Sequence, residues 1–155
     1  QAFNMLVSTG LPLVAGIYRK RYPPFPLAAY NMGRDAEGKA GAVALPEPFP
    51  WGQVAPVDCV PTGLMLIRRD LLAMVVQRWA KPFDWTMNPL HPENFGTSED
   101  YNFTLKCKTE LGVQPHVHFG VTAQHEVGAR IDAQTGGFDF AFFRSDQIAA
   151  VQKTG

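Results

Sequence analysis

Two adjacent carboxylates, Glu99 and Asp100, head a stretch that opens Thr97-Ser98-Glu99-Asp100 and reads as a helix to about Leu111, with Gly112 as its stop signal. Two kinds of chemistry suit that position. Acids in a first turn favour the positive end of the helix dipole, and Ser98 or Thr97 can cap the helix by accepting from its backbone N–H groups. Helical spacing separates the pair. Asp100 shares a face with Phe103, Cys107 and Leu111, at spacings of 3, 7 and 11, whereas Glu99 falls beside Lys106 and Glu110 on the polar arc. A carboxylate aimed at the packed side needs a partner or a task. Taking a proton from a hydroxyl within hydrogen-bond reach is such a task.

The histidines are the next candidates. His125 sits at the end of a strand-like stretch, where a histidine bonded to backbone is the plain reading. His116 and His118 alternate along one strand and so project to one face. A lone His-x-His is a weak zinc signal, and surface decoration is expected; convergence with His125 and Glu126 would instead make a small metal-dependent hydrolase. His91 shares the Phe83 to Gly96 segment with Trp85, whose ring either stacks on a ligand or plugs the core and pins the loop. Arg19-Lys20-Arg21 offers positive charge to a phosphate, but a solvated strand end is the expected role. Cys59 and Cys107 are too few for a disulfide framework and read as buried, reduced thiols.

These residues must be positioned by alternating strands and helices. Ala2 to Ser8 looks helical. Pro12 to Tyr18 is a short apolar strand, and Phe25 to Met32 with Gly41 to Leu45 reads as a strand pair around the polar loop Gly33 to Lys39. Val54 to Val60 is a further strand. Pro61-Thr62-Gly63 is turn chemistry, and Leu64 to Ile67 is a continuous apolar run, as for a strand buried on both faces. Arg68-Arg69-Asp70 opens a helix whose apolar positions are Leu71, Leu72, Val75, Val76 and Trp79, ended by Pro82. The long loop Phe83 to Gly96 is expected to border the site and to move more than the sheet. His116 to Thr122 and Phe138 to Phe143 are strands, and Ser145 to Gln152 a terminal helix. The alternation predicts an α/β domain with a mixed sheet and flanking helices.

Bulk properties narrow the classes. The 155 residues suit one domain, and 46% hydrophobic against 18% charged is enough for a core. Fourteen basic and fourteen acidic residues cancel, which leaves no footprint for nucleic acid or an anionic membrane surface. No apolar run nears the ~20 residues of a membrane span. Gln1 to Gly10 has no charged n-region or cleavage pattern, so no signal peptide is read and a cytoplasmic protein is expected. The chain starts without Met and inside an apparent element, which reads as a fragment of something longer.

The order of motifs carries a resemblance. Val57-Asp58-Cys59-Val60-Pro61-Thr62-Gly63-Leu64-Met65-Leu66-Ile67-Arg68-Arg69-Asp70 is followed by Pro82-Phe83-Asp84, then Ser98-Glu99-Asp100-Tyr101-Asn102-Phe103, then a strand ending at His125. With Leu13-Val14-Ala15-Gly16-Ile17-Tyr18 before it, this resembles the C-terminal, acceptor-side half of family-2-like GT-A glycosyltransferases, over residues 10 to 128. The resemblance implies a partial GT-A-like domain that uses a nucleotide-sugar donor and a carbohydrate or lipid-linked acceptor. It makes Asp100 the base, lets Glu99 orient an acceptor hydroxyl, and places Gly63, Trp85 and His91 against substrate. His125 would complete the site of a divalent cation, Mn²⁺ or Mg²⁺, in the full-length enzyme. The sequence departs from the family in having no Asp-x-Asp; Asp35-Ala36-Glu37 is the nearest spelling and reads as a surface turn. The chain alone is therefore expected to transfer no sugar, which leaves a non-catalytic carbohydrate-binding or interaction module of the same fold as the alternative. Without the donor half, Pro12 to Tyr18 is expected to lie at a sheet edge open to pairing with a second copy.

Overall fold

Leu13–Ile17 (β1) is apolar at every position but Gly16, and all five residues are buried. Such a strand needs neighbours on both sides and cover on both faces, and it has them. In the computed structural model, which describes residues 1–20, 27–34, 36–38, 40–84, 98–123, 130, 131, 138 and 139, β1 pairs antiparallel with Met65–Ile67 (β5) and parallel with His116–Thr122 (β6). Val54–Pro56 (β4) runs antiparallel along the far side of β6, so the four-stranded sheet has the order β4-β6-β1-β5 and is mixed. The expected open edge at Pro12 to Tyr18 is therefore corrected: β1 is central, and the edges of this sheet among the described residues are the three-residue β4 and β5. Tyr30–Arg34 (β2) and Ala40–Ala44 (β3) form a separate antiparallel hairpin, as do Arg130–Ile131 (β7) and Phe138–Asp139 (β8).

Helices cover both faces. Ala2–Ser8 (α1) packs Leu6 against Val14 and Val121 on one side. On the other, Arg69–Arg78 (α2) and Glu99–Leu111 (α3) bring Leu71, Val75, Phe103 and Cys107 onto Leu13. Beside them Leu27, Ala29, Val57 and Val60 cover Ala15, Ile17, Val117 and Phe119. The α/β architecture with a mixed sheet and flanking helices is thus present, and no helix among the described residues is long and apolar enough to cross a membrane.

Several local readings change. β5 is half-buried at a sheet edge rather than enclosed on both faces. The strand expected over Val54 to Val60 stops at Pro56, because the next residues turn to meet β2: Tyr30 and Cys59 exchange backbone hydrogen bonds of 3.0 and 2.9 Å. α2 ends at Arg78, short of Pro82, as Trp79 takes an extended backbone. That turn lets the indole pack on Phe103 and donate to Glu110 Oε2 at 2.8 Å. Of the apolar positions of α2, Leu72 and Val76 are exposed, while Leu71 and Val75 are buried. Gly112 has φ of 67° and ends α3 as expected, with the next N–H, from Val113, donating to Cys107 O at 2.9 Å.

Candidate functional site

α3 leads back into β6, which runs parallel to β1, so the first turn of α3 lies at the end of the sheet where β1 and β6 finish. β5 runs the other way and begins there, two residues after Gly63. Ligand sites of open α/β sheets form at this end of parallel strands. The described side chains that meet there come from four segments: Tyr18 and Lys20 beyond β1, Tyr30 at the start of β2, the Pro61–Gly63 turn, and Ser98 to Tyr101.

Gly63 is held to its identity by a neighbour. A Cβ at Gly63 would stand 2.6 Å from Cε1 of Tyr18 and 3.1 Å from its hydroxyl oxygen, closer than side chains approach. The Tyr18 ring thus lies over the turn. Tyr30 and Tyr101 meet edge to face, with centroids 5.2 Å apart at 66°. Lys20 Nζ lies 4.7 Å from the Tyr30 centroid and 5.7 Å from that of Tyr101. The solvated strand end expected for Arg19-Lys20-Arg21 is therefore corrected at Lys20, which rests on aromatic faces; Arg21 lies outside the described residues. Burial, then the neighbouring Tyr30, Asp100 and Tyr18, push the Tyr101 phenol well above its ordinary pKa, so it stays a neutral hydroxyl.

Asp100 sits in the first turn of α3, half-buried. Its Oδ1 accepts from the Ser98 hydroxyl and from the Tyr101 N–H, the latter at 2.8 Å. Ser98 occupies the N-cap position, but its side chain caps no backbone N–H and serves Asp100 instead. Thr97 lies outside the described residues. Glu99, assigned to the polar arc, departs from that reading: its Oε2 is buried and has no hydrogen-bond partner among the described residues. Buried carboxylate oxygens are costly when unpaired. Below this turn, Thr104 Oγ1 donates toward the Asp100 carbonyl at 3.1 Å and accepts from Val60 N at 3.3 Å, which ties the helix to the segment before Gly63.

Where the Phe83 to Gly96 loop leaves the core, Phe83 stacks on Phe103 at 4.3 Å and the Asp84 carbonyl accepts from Asn102 Nδ2 at 2.7 Å. The loop therefore starts against α3's first turn. Trp85, His91 and His125, the remaining candidates for substrate and cation, lie outside the described residues, as do Asp35 and the rest of that loop. In the sequence His125 comes three residues after the last residue of β6.

His116 and His118 are not surface decoration. His118 is buried with Nδ1 accepting from Gly120 N at 3.1 Å, and His116 Nδ1 lies 2.9 Å from the Gln114 carbonyl. Each ring is engaged by nearby backbone, His116 by Gln114 just before β6 and His118 by Gly120 within it, and no three metal-ligating side chains converge among the described residues. Glu99 and Asp100 supply hard oxygens, but the described set by itself does not fit a divalent cation, so no step is assigned to one.

A separate cleft of about 370 Å³ lies away from Asp100, bounded by Asn31, Met32, Asp58, Lys108 and Gln114. Its polar groups satisfy one another. Lys108 bonds Asp58, Asp58 Oδ2 accepts from Met32 N at 2.6 Å, and Gln114 donates to the Val57 carbonyl at 2.6 Å.

No protein-family model matches the chain, and no curated protein matches its sequence.

The residues that sequence reasoning passed over are Tyr18, Tyr30 and Tyr101. Tyr101 adjoins the acid pair and was in plain view; the others are brought in only by the fold.

Proposed function

We propose that this chain is the acceptor-side portion of a GT-A-like sugar transferase, with Asp100 as the base that takes the acceptor proton. The observation that carries the reading is the pairing of Asp100 with a neighbouring carboxylate, Glu99, whose buried Oε2 lacks a partner among the described residues. An acceptor sugar hydroxyl is a donor that satisfies such an oxygen, which gives Glu99 the orienting role. Asp100 Oδ1 is engaged by Ser98 and Tyr101, so we assign Oδ2 to the proton. As the acceptor oxygen attacks the anomeric carbon, its proton passes to Asp100 and the bond to the nucleotide diphosphate breaks. Trp85 and His91 would line the acceptor side, and His125 would belong to the cation site of the full-length enzyme.

The missing Asp-x-Asp favours a second reading, a carbohydrate-binding module of the same fold without donor chemistry. Calorimetric titration with simple glycosides, nucleotide sugars and Mn²⁺ separates the two. Donor binding supports the transferase, and glycoside binding alone the module. Under either reading Asp100→Asn weakens saccharide binding. Mn²⁺ binding with no saccharide binding would overturn both in favour of a metal-dependent hydrolase.

A further inference from the structure

The two edges of the main sheet are not alike. β4 ends in Pro56, which has no N–H to offer a further strand, and proline is a common guard of sheet edges. β5, Met65-Leu66-Ile67, has neither proline nor charge. Antiparallel pairing fixes which of its backbone groups face outward. Gly16 N donates to the Leu64 carbonyl at 2.8 Å and Arg68 N to the Pro12 carbonyl at 2.9 Å, so Leu64, Leu66 and Arg68 turn their backbone groups toward β1. Met65 and Ile67 therefore each aim an N–H and a C=O at the open side, where they have no partner strand among the described residues.

The side chains beside this edge are apolar. On one face of the sheet, Met5 of α1 leans toward β6: a Cβ at Gly120 would stand 3.3 Å from its Cε. Residues two positions from Met5 lie on the opposite flank of a helix with 3.6 residues per turn. Phe3 and Val7 are thus on the β5 side of α1, and they are 64% and 48% exposed. On the other face, α2 follows β5 after Arg68 and exposes Leu72, Met74 and Val76.

We propose that the β5 edge is the contact between two copies of this chain, paired antiparallel about a two-fold axis at Leu66. A second copy fits because the edge is complementary to itself. Met65 of one copy exchanges two backbone hydrogen bonds with Ile67 of the partner subunit, the reverse pair does the same, and the two Leu66 residues face each other across the axis. Charge does not oppose the approach. Fourteen basic and fourteen acidic residues cancel in each copy, and Arg68, at the end of β5, is neutralised by Asp70 of its own chain. The edge with its flanking side chains falls short of the ~20–30 residues a side of a standard interface, so the dissociation constant is on the order of 10–100 µM. The dimer joins two four-stranded sheets into one of eight. This inference is independent of the sugar-transferase reading.

The test is sedimentation velocity of the full chain from about 1 to about 500 µM, across which the mass rises from monomer to dimer. Met65→Pro removes an outward N–H and sets a ring against the partner strand, and it weakens the dimer about tenfold or more. Val7→Lys, on exposed α1 surface, weakens it by about threefold or more without touching β5. Thermal melting and circular dichroism of both variants separate lost association from lost fold. Register is read by mild oxidation of Leu66→Cys, since facing residues of a non-hydrogen-bonded pair have Cα atoms ~4.5 Å apart, within disulfide range. That variant forms a covalent dimer, whereas Ala42→Cys, exposed on β3, does not; the native Cys59 and Cys107 are buried. A wild-type chain that stays monomeric to about 500 µM overturns the proposal and leaves the edge to a strand from a different polypeptide. A dimer that folded Met65→Pro and Val7→Lys leave intact overturns it as well.

Discussion

Asp58→Ala should cost the fold about 1.5–4 kcal/mol, a sum of two contacts made by one carboxylate. Asp58 Oδ2 accepts from Met32 N at 2.6 Å, and Oδ1 pairs with Lys108. A hydrogen bond to a charged group contributes about 1.5–3 kcal/mol. The ion pair adds at most about 1 kcal/mol, since the Lys108 side chain is 38% exposed although that of Asp58 is only 14% exposed. Truncation leaves a β2 amide without its acceptor and loosens three pieces at once: β2, the segment before Gly63, and α3. With a urea m-value of about 2 kcal/mol per M, the midpoint falls by about 0.8–2 M. Asp58→Asn keeps an oxygen for Met32 and should lose about 0.5 M. Burial pushes the Asp58 carboxyl up, but the hydrogen bonds from Lys108 and Met32 and the Lys108 charge outweigh it, and its pKa is lowered overall. A folded value below the unfolded one gives stability that is complete above the ordinary carboxylate pKa of ~4 and is lost as pH falls through the lower folded value. The gap between wild type and Asp58→Asn should therefore be full at neutral pH and close on acidification. A drop below about 0.3 M for Asp58→Ala, or a gap indifferent to acid, would refute this account of the contact.

Other consequences are open to simple measurement. Gly63→Ala puts a methyl where the Tyr18 ring lies, 2.6 Å from Cε1, and should cost about 1–3 kcal/mol as the ring is displaced; unchanged melting and unchanged Tyr18 ring resonances would contradict the packing. Phe103→Ala empties a fully buried site between Trp79 and Phe83 and should cost about 3–5 kcal/mol in urea unfolding. Burial pushes the Cys59 thiol up to about 11 and the Cys107 thiol up to about 12, so iodoacetamide at mildly alkaline pH should alkylate the native chain more than about 100-fold slower than the unfolded one.

What could be read from the sequence follows from how local each signal is. α1, β6 and the Gly112 stop were legible because a periodic run and its terminator sit within a dozen residues. The partners of β1 were not. An apolar run says that a strand is enclosed, but not that Met65–Ile67 and His116–Thr122, some 50 and 100 residues on, enclose it. Val54 to Val60 read as one strand because nothing local announces that Cys59 will exchange hydrogen bonds with Tyr30. A helical wheel sorted Asp100 from Glu99 by their own helix alone, and so missed that Glu99 has a buried oxygen. Lys20 looked solvated because its aromatic partners lie 10 and 81 positions away in the chain.

The central claim is that sugars bind where β1 and β6 end, around Asp100. Amide-resolved NMR titration with a panel of glycosides and nucleotide sugars reads this directly. The account predicts shifts concentrated at Tyr18 to Lys20, at Gly63 and Leu64, and from Ser98 to Thr104, and their loss in Asp100→Asn. Shifts gathered instead at the Asp58–Lys108 cleft, or the same shifts surviving in Asp100→Asn, would contradict it.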